Sequence, residues 1–419
     1  MGRVWSKILV LARFARRQPL RAWLAVFPAI IDNCRALLRR RRGRRLVVLY
    51  VDGPGYVPIV EPVIDELSRR PAASRIELWL ATRPEQVASL TQHIQNWPLA
   101  PARILTSWRL AALLTFDLFL TTHQSGVAPL SGRGPKICLF HGLPNKGGTF
   151  PPDQWLYLNG VFLLGPLQRE LFEAFSALQP GRKWLVRDVG YPKSDRLVRR
   201  EYDRRATLER LRLDASRPMV LYAPSWEEGA SLRTRGCEVI ESLCALENVQ
   251  VVVKLHPMSY YSPTEYRATG GVDWVAKLRR FEGRSGFRHV PQADVAELVS
   301  AADVVVTDVS SVSFEAILAD RPVVFVDCAE FFDRVAPAMY GTAPAVLRTE
   351  LAFNSGRDAG RVVQDLNELR GAVLDYLANP ALESNEREQV RDRLLYHPGR
   401  AAEVSARTIC ELVEGSTGG

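Results

Sequence analysis

Val304-Val305-Val306-Thr307-Asp308-Val309-Ser310-Ser311 is the stretch with the fewest ways to fold. Three β-branched residues in a row read as a strand buried on both faces, which implies a parallel sheet. Ser311 stands where a helix N-cap belongs, with Glu315 one turn further on. Phe314, Ile317 and Leu318 then recur at helical spacing until Arg321-Pro322. Val323 to Val326 supplies a second apolar strand, so the stretch predicts one βαβ unit. Strand, hydroxyl-rich turn and helix N-terminus together suit an anion, because unpaired N–H groups and the positive end of the helix dipole meet there. A Ser-Ser pair commonly does no more than cap a helix, so the functional reading depends on its company.

The same alternation runs along the chain. Strand-like Arg45 to Val51, its turn Asp52-Gly53-Pro54-Gly55 and a helix from about Val57 to Arg70 open a first series. It continues through strand Arg75 to Ala81, helix Pro84 to Gln92, strand Ala102 to Thr106, helix Arg109 to Thr115 and strand Asp117 to Thr122. A second series runs from Met219 to Val326, and residues 361–414 read as helices broken at Pro380 and Pro398. Strands alternating with helices on short loops predict an α/β fold with parallel sheets in two domains. The expected division is 1–43 as a basic amphipathic segment, 44–205 and 206–395 as domains, and 396–419 as a C-terminal helix returning to the first. The Gly53/Gly55 turn is too short for a dinucleotide fingerprint.

Charge is uneven. Residues 1–45 hold 13 Lys/Arg against Asp32 alone, about +12, and the remaining 42 against 45 leave about −3. A near-neutral body argues against nucleic acid as a partner. The apolar clusters of the segment (Val4, Trp5, Ile8; Trp23, Leu24, Phe27) lie at helical spacing among arginines, which suits an anionic membrane surface. A helix packed on the protein itself is the plainer alternative, and a cleavable signal peptide fits poorly because no small-residue cleavage site follows. The six cysteines show no CxxC spacing and read as buried thiols; no carboxylate cluster has metal-ligand spacing, so neither a metal nor another cofactor is expected.

Four strand ends carry polar loops. His141-Gly142 follows Lys136 to Phe140 and precedes Lys146, Gly147 and Gly148. Open α/β sheets place ligands at such ends, glycine lets backbone approach a ligand, and Lys146 offers a cation. Ser225 and Trp226 follow Met219 to Tyr222, Lys254 and His256-Pro257 follow Val249 to Val253, and Thr307, Ser310 and Ser311 follow the valine strand.

Taken in order, His141-Gly142-x-Pro144-x-Lys146, Tyr222-Ala-Pro-Ser-Trp226, Lys254-Leu-His-Pro257 and Thr307-Asp-x-Ser-Ser-x-x-Phe-Glu315 resemble the CDP-glycerol glycerophosphotransferases of teichoic acid and capsule synthesis. The resemblance covers roughly residues 130–330; Val309 stands where the family commonly has Tyr. It implies two facing Rossmann-like domains of the GT-B type with a cleft between them, and a peripheral habit at the cytoplasmic face of the cell membrane. The implied reaction is attack of an acceptor hydroxyl, on a surface polymer or its lipid-linked precursor, at the β-phosphorus of a CDP-activated polyol, releasing CMP. Such transfer asks for positioning and charge stabilisation. His141 is the candidate general base, with Gly142 and Lys146 on the acceptor side. His256 would support the leaving group; Thr307, Ser310, Ser311 and Ser225 would meet phosphates, Glu315 the ribose hydroxyls, and Lys254 would offset phosphate charge. The alternatives are a GT-B glycosyltransferase using a sugar nucleotide and a non-catalytic nucleotide-binding module at the membrane.

Overall fold

The computed structural model describes residues 31–35, 38–39, 42–105, 114–123, 134–144, 150 and 155–415. They form two compact units, each around its own parallel sheet. The first contains the described residues up to Gly142, Phe150 to Asp195, and Leu395 onward; the second contains Arg196 to Leu394.

Seven strands build the first sheet: β1 (Arg45–Tyr50), β2 (Ile76–Ala81), β3 (Arg103–Leu105), β4 (Leu118–Thr121), β5 (Lys136–Cys138), β6 (Gly160–Leu163) and β7 (Leu185–Asp188). Their spatial order is β3-β2-β1-β4-β5-β6-β7. The second sheet has β8 (Met219–Tyr222), β9 (Gln250–Val253), β10 (Phe287–His289), β11 (Val304–Thr307), β12 (Val323–Val326) and β13 (Arg361–Val363), ordered β10-β9-β8-β11-β12-β13. Both orders are Rossmann-like: the chain runs outward one way, returns to the centre and continues the other way. That reversal falls between β1 and β4 in one unit and between β8 and β11 in the other. Connections diverge there, leaving a crevice at the strands' C-terminal ends, so the sheet order itself selects where side chains can meet a ligand.

Burial explains the strands. Every residue of β8, β9, β11 and β12 is buried, as expected for strands covered by helices on both faces. The valine strand and its βαβ unit stand where the sequence places them, with helix Val312–Leu318 between β11 and β12. Two expectations need correcting. Ser311 holds the N-cap position, but it makes no side-chain cap bond and its backbone is already helical. Residues 361–363, read as helical, form the edge strand β13, whose Val362 is exposed and gives no apolar run to read. The cysteines are not uniformly buried either, since Cys34 is exposed. Helix Arg109–Thr115 lies mostly outside the described residues.

Most of the N-terminal segment, residues 1–30, also lies outside the described residues. Its end packs on the first sheet. Asp32, 1% exposed, pairs with Arg103 at 2.7 Å; Arg39 pairs with the buried Glu77 and lies over Trp79. Arg45 approaches Asp117 at 3.7 Å. Arg39 and Arg45 therefore serve the fold, whereas Arg42 and Arg44 are exposed. Among the described residues no helix is long and apolar enough to cross a membrane.

The C-terminal helix Ala401–Gly415 returns to the first unit and lies against helix Val57–Ser68. Gly190, at φ +87°, permits the approach, because a Cβ there would sit 2.2 Å from the Tyr396 carbonyl oxygen. The buried Asp195 carboxylate then accepts from the first helical amides, Ala401 N–H at 3.0 Å and Ala402 N–H at 2.8 Å. It satisfies two of the donors that a helix start leaves unpaired. Asp195→Ala should lower unfolding stability by about 1–3 kcal/mol in a urea titration, with both amides left buried and unpaired. An unchanged midpoint would contradict this role.

Candidate functional site

In the first unit β4 and β5 run side by side with Thr121 opposite Cys138, so the residues just beyond them emerge together. Beyond Cys138, Leu139 N–H still bonds to Thr121 O, and then the chain turns sharply at Phe140, φ +57°. A bulky residue in the left-handed region is strained by on the order of 1–3 kcal/mol, and its surroundings must enforce it. Here the Phe140 ring packs at 5.7 Å from Phe150 and 5.8 Å from Trp155, within an aromatic cluster that includes Phe172, Phe175 and Trp184. Aromatic pairs of this kind each contribute roughly 0.5–1.5 kcal/mol. The turn delivers His141 to the crevice side of the sheet's C-terminal edge.

His141 Nδ1 lies 3.1 Å from the Thr122 carbonyl oxygen. A carbonyl only accepts, so Nδ1 carries the hydrogen and Nε2 keeps its lone pair. Among the described residues Nε2 has no hydrogen-bond partner. The His141 ring stacks on His123 at 4.6 Å and 17°, with the Tyr56 ring edge-on to both, and the Tyr191 hydroxyl donates to the His141 carbonyl. Crowding by these groups pushes the His141 pKa below the ordinary 6.5, against the Thr122 hydrogen bond that raises it. Gly142 has open space where a Cβ would stand, and Lys146 lies outside the described residues.

In the second unit the loops after β8, β9 and β11 come together. His256 begins a short turn, Pro257–Tyr260, and its Nδ1 accepts from Met258 N–H at 3.2 Å. The amide can only donate, so this ring carries its hydrogen on Nε2. It is exposed and stacks on Trp226 at 5.9 Å and 28°. Its polarity is thus opposite to that of His141.

Asp308, not singled out from the sequence, organises the β8 and β11 ends. Its carboxylate is 1% exposed and accepts from Ser225 N–H at 2.8 Å, Ser231 N–H at 2.9 Å and the Ser231 hydroxyl at 2.6 Å. Since the Ser231 proton goes to Asp308, the Tyr222 hydroxyl must donate to Ser231. Gly229, at φ +75°, closes the loop where a Cβ would lie 2.7 Å from Phe331 N.

Several expected phosphate contacts turn out otherwise. Thr307 is fully buried and donates to Ala223 O at 2.7 Å, joining β11 to the β8 loop. Ser225 is 2% exposed, with its hydroxyl on the Glu227 carboxylate, so it shapes the loop from within. Lys254 donates to Pro291 O at 2.5 Å and lies over the Tyr260 ring, bracing β9 against β10. Ser310 is nearly buried, its hydroxyl accepting from Val312 N–H at 3.4 Å; Ser311 is exposed and Glu315 half-buried. His256, Ser310, Ser311 and Glu315 remain the residues at the rim of this unit's crevice. Among the described residues no three His, Cys, Asp or Glu side chains are grouped to hold a metal.

Residues 168–340 match the family model "CDP-Glycerol:Poly(glycerophosphate) glycerophosphotransferase", a span that contains the β8, β9 and β11 loops and begins after His141. No curated protein matches the chain. The wall teichoic acid polymerase TagF is similar in structure, with TM-score 0.59 and 15% identity over 93% of this chain and 97% of that one. TagF soaked with CDPG gives TM-score 0.59 at 15% identity over 99% and 97%. The UDP-GlcNAc 2-epimerase of Methanocaldococcus jannaschii gives 0.53 at 11% identity over 88% and 100%. These likenesses establish the fold as a pair of GT-B-type domains. Residues 168–340, which hold the β8, β9 and β11 loops, carry a domain of the CDP-glycerol:poly(glycerophosphate) glycerophosphotransferase type.

Proposed function

We propose that the chain transfers glycerol phosphate from CDP-glycerol, that the acceptor is a hydroxyl on a cell-surface polymer or its lipid-linked precursor, and that the two oppositely polarised imidazoles serve one turnover. The acceptor oxygen attacks the β-phosphorus of CDP-glycerol, and its proton passes to the His141 Nε2 lone pair. The bond from the β-phosphorus to the bridging oxygen breaks, and CMP leaves with that oxygen accepting from His256 Nε2–H. A phosphodiester to the acceptor results. What supports this reading is the pair of backbone bonds that fix the two tautomers. Lowered basicity keeps His141 unprotonated near neutral pH, where a base must be free to accept. Ser310 and Ser311 are assigned to the phosphates, Glu315 to the ribose hydroxyls, and Gly142 and Lys146 to the acceptor. Thr307, Ser225 and Lys254 hold the loops that carry them.

The protein acts at the cytoplasmic face of the membrane, held peripherally by the segment before residue 31. Its six Lys/Arg (Arg3, Lys7, Arg13, Arg16, Arg17, Arg21) face no acidic residue of the same stretch. Each basic residue near an anionic surface contributes about 1 kcal/mol.

His141→Ala and His256→Ala should each cut CMP release from CDP-glycerol by at least ~100-fold with the protein still folded, the usual scale of positioned acid–base catalysis. Near-parental turnover in both variants would remove the assignment. The full chain should sediment with vesicles containing anionic lipid, release in high salt, and lose binding when residues 1–30 are deleted. Equal binding to neutral vesicles, or by the shortened chain, would count against the membrane role.

A further inference from the structure

We propose that His123 is a positioning residue of this enzyme: its ring is the wall on which the His141 imidazole stacks, and it holds the plane in which the His141 lone pair lies. The inference rests on the reading of His141 as the base, and it adds a third histidine, one that the reaction scheme leaves unused.

Three successive residues at the end of β4 act on the β5 loop. Thr121 braces its neighbour: its hydroxyl donates to His123 O at 2.8 Å and accepts from His123 N–H at 3.0 Å. Thr122 offers its carbonyl to His141 Nδ1, fixing the in-plane direction of that ring. His123 supplies the face, 4.6 Å away and within 17° of parallel, and its own Nδ1 is tied to the Thr122 hydroxyl at 3.1 Å. One bond in the ring plane and one contact on its face leave His141 little freedom to rotate. β4 is also the strand at which the sheet order reverses, so His123 stands at the crevice and not in distant core.

The surroundings keep the pair neutral. Burial, then the neighbouring His141, push His123 down to about 4. Among the described residues the charged and titratable groups around the pair are Tyr56, edge-on to both rings; Tyr191, whose hydroxyl bonds to the His141 carbonyl; Asp52, which favours a charged His123; and Arg83, which opposes it. Asp52 is held by Arg83 at 2.7 Å and by the Tyr50 hydroxyl at 2.8 Å, and Glu85 lies 3.6 Å from Arg83. Two imidazoles in contact disfavour each other's protonation. Removing the His123 ring admits water to the face of His141, which should raise its pKa and loosen its orientation.

The test is the pH profile of kcat/KM for CMP release from CDP-glycerol. In the parent the acid limb should lie below 6.5. His123→Ala should move that limb up towards 6.5 and lower kcat about tenfold with little change in KM, a modest share of what misplacement can cost. His123→Phe, which restores a stacked ring without a titratable group, should bring the limb back below 6.5 and kcat to within about threefold of the parent. Direct NMR titration of His141 in parent and His123→Phe reads the same quantity if His123→Ala does not fold. The proposal falls if His123→Ala keeps both the parental limb and kcat, if Phe is no better than Ala, or if His141 titrates ordinarily in parent and His123→Phe. Parental turnover in His141→Ala would instead overturn the base assignment itself. An inactive His141→Ala beside a silent His123→Ala overturns only the positioning role.

Discussion

Two backbone hydrogen bonds determine what each imidazole has to offer. Thr122 O takes the Nδ1 hydrogen of His141 and leaves a basic nitrogen; Met258 N–H fills the Nδ1 lone pair of His256 and leaves a donor. Neither bond comes from a side chain. Each arises because a parallel strand has just ended, so that backbone groups no longer belong to the ladder and are free to address a ring. The chemistry proposed for the chain therefore depends on where β4, β5 and β9 stop, and in the last case on Pro257 forcing the turn that presents the Met258 amide.

Keeping those strand ends in place requires arrangements with their own cost. In the first unit the left-handed Phe140 is held by aromatic packing beneath it. In the second, a buried carboxylate is made tolerable by three donors, and Asp308 in return fixes the loop after β8 against the turn after β11. An ionised group so buried is acceptable only when its oxygens are bonded this fully. Thr307 adds the Ala223 bond across the same junction. The polar residues of the motif divide accordingly: those facing inward build the junction, and those facing outward line the crevice.

Much of this was readable from the sequence and some was not, for physical reasons. Runs such as Val304 to Val306 and Val251 to Val253 declare buried parallel strands, and a histidine directly after an apolar run declares its place at a strand's end. Residue type alone does not reveal which way a hydroxyl points. Thr307, Ser225 and Ser310 are hydroxyl residues like Ser311, yet of the four only Ser311 is exposed. β13 escaped notice because an edge strand with an exposed valine has no apolar signature. His123 was open to the same argument as His141, since it follows Leu118 to Thr122 directly, but only the pairing of β4 with β5 shows that the rings touch. Asp308 gave no signal beyond its place beside Thr307, because Ser225 and Ser231, which donate to it, lie far along the chain.

The central claim is that His141 and His256 hold opposite neutral tautomers, and long-range proton–nitrogen NMR on the histidine-labelled full chain at pH 7.5 reads it directly. The six histidines are few enough to assign by substitution. The account predicts a protonated Nδ1 with a lone-pair-bearing Nε2 for His141, and the reverse for His256. Finding the same tautomer in both rings, or His141 as the cation, would contradict it.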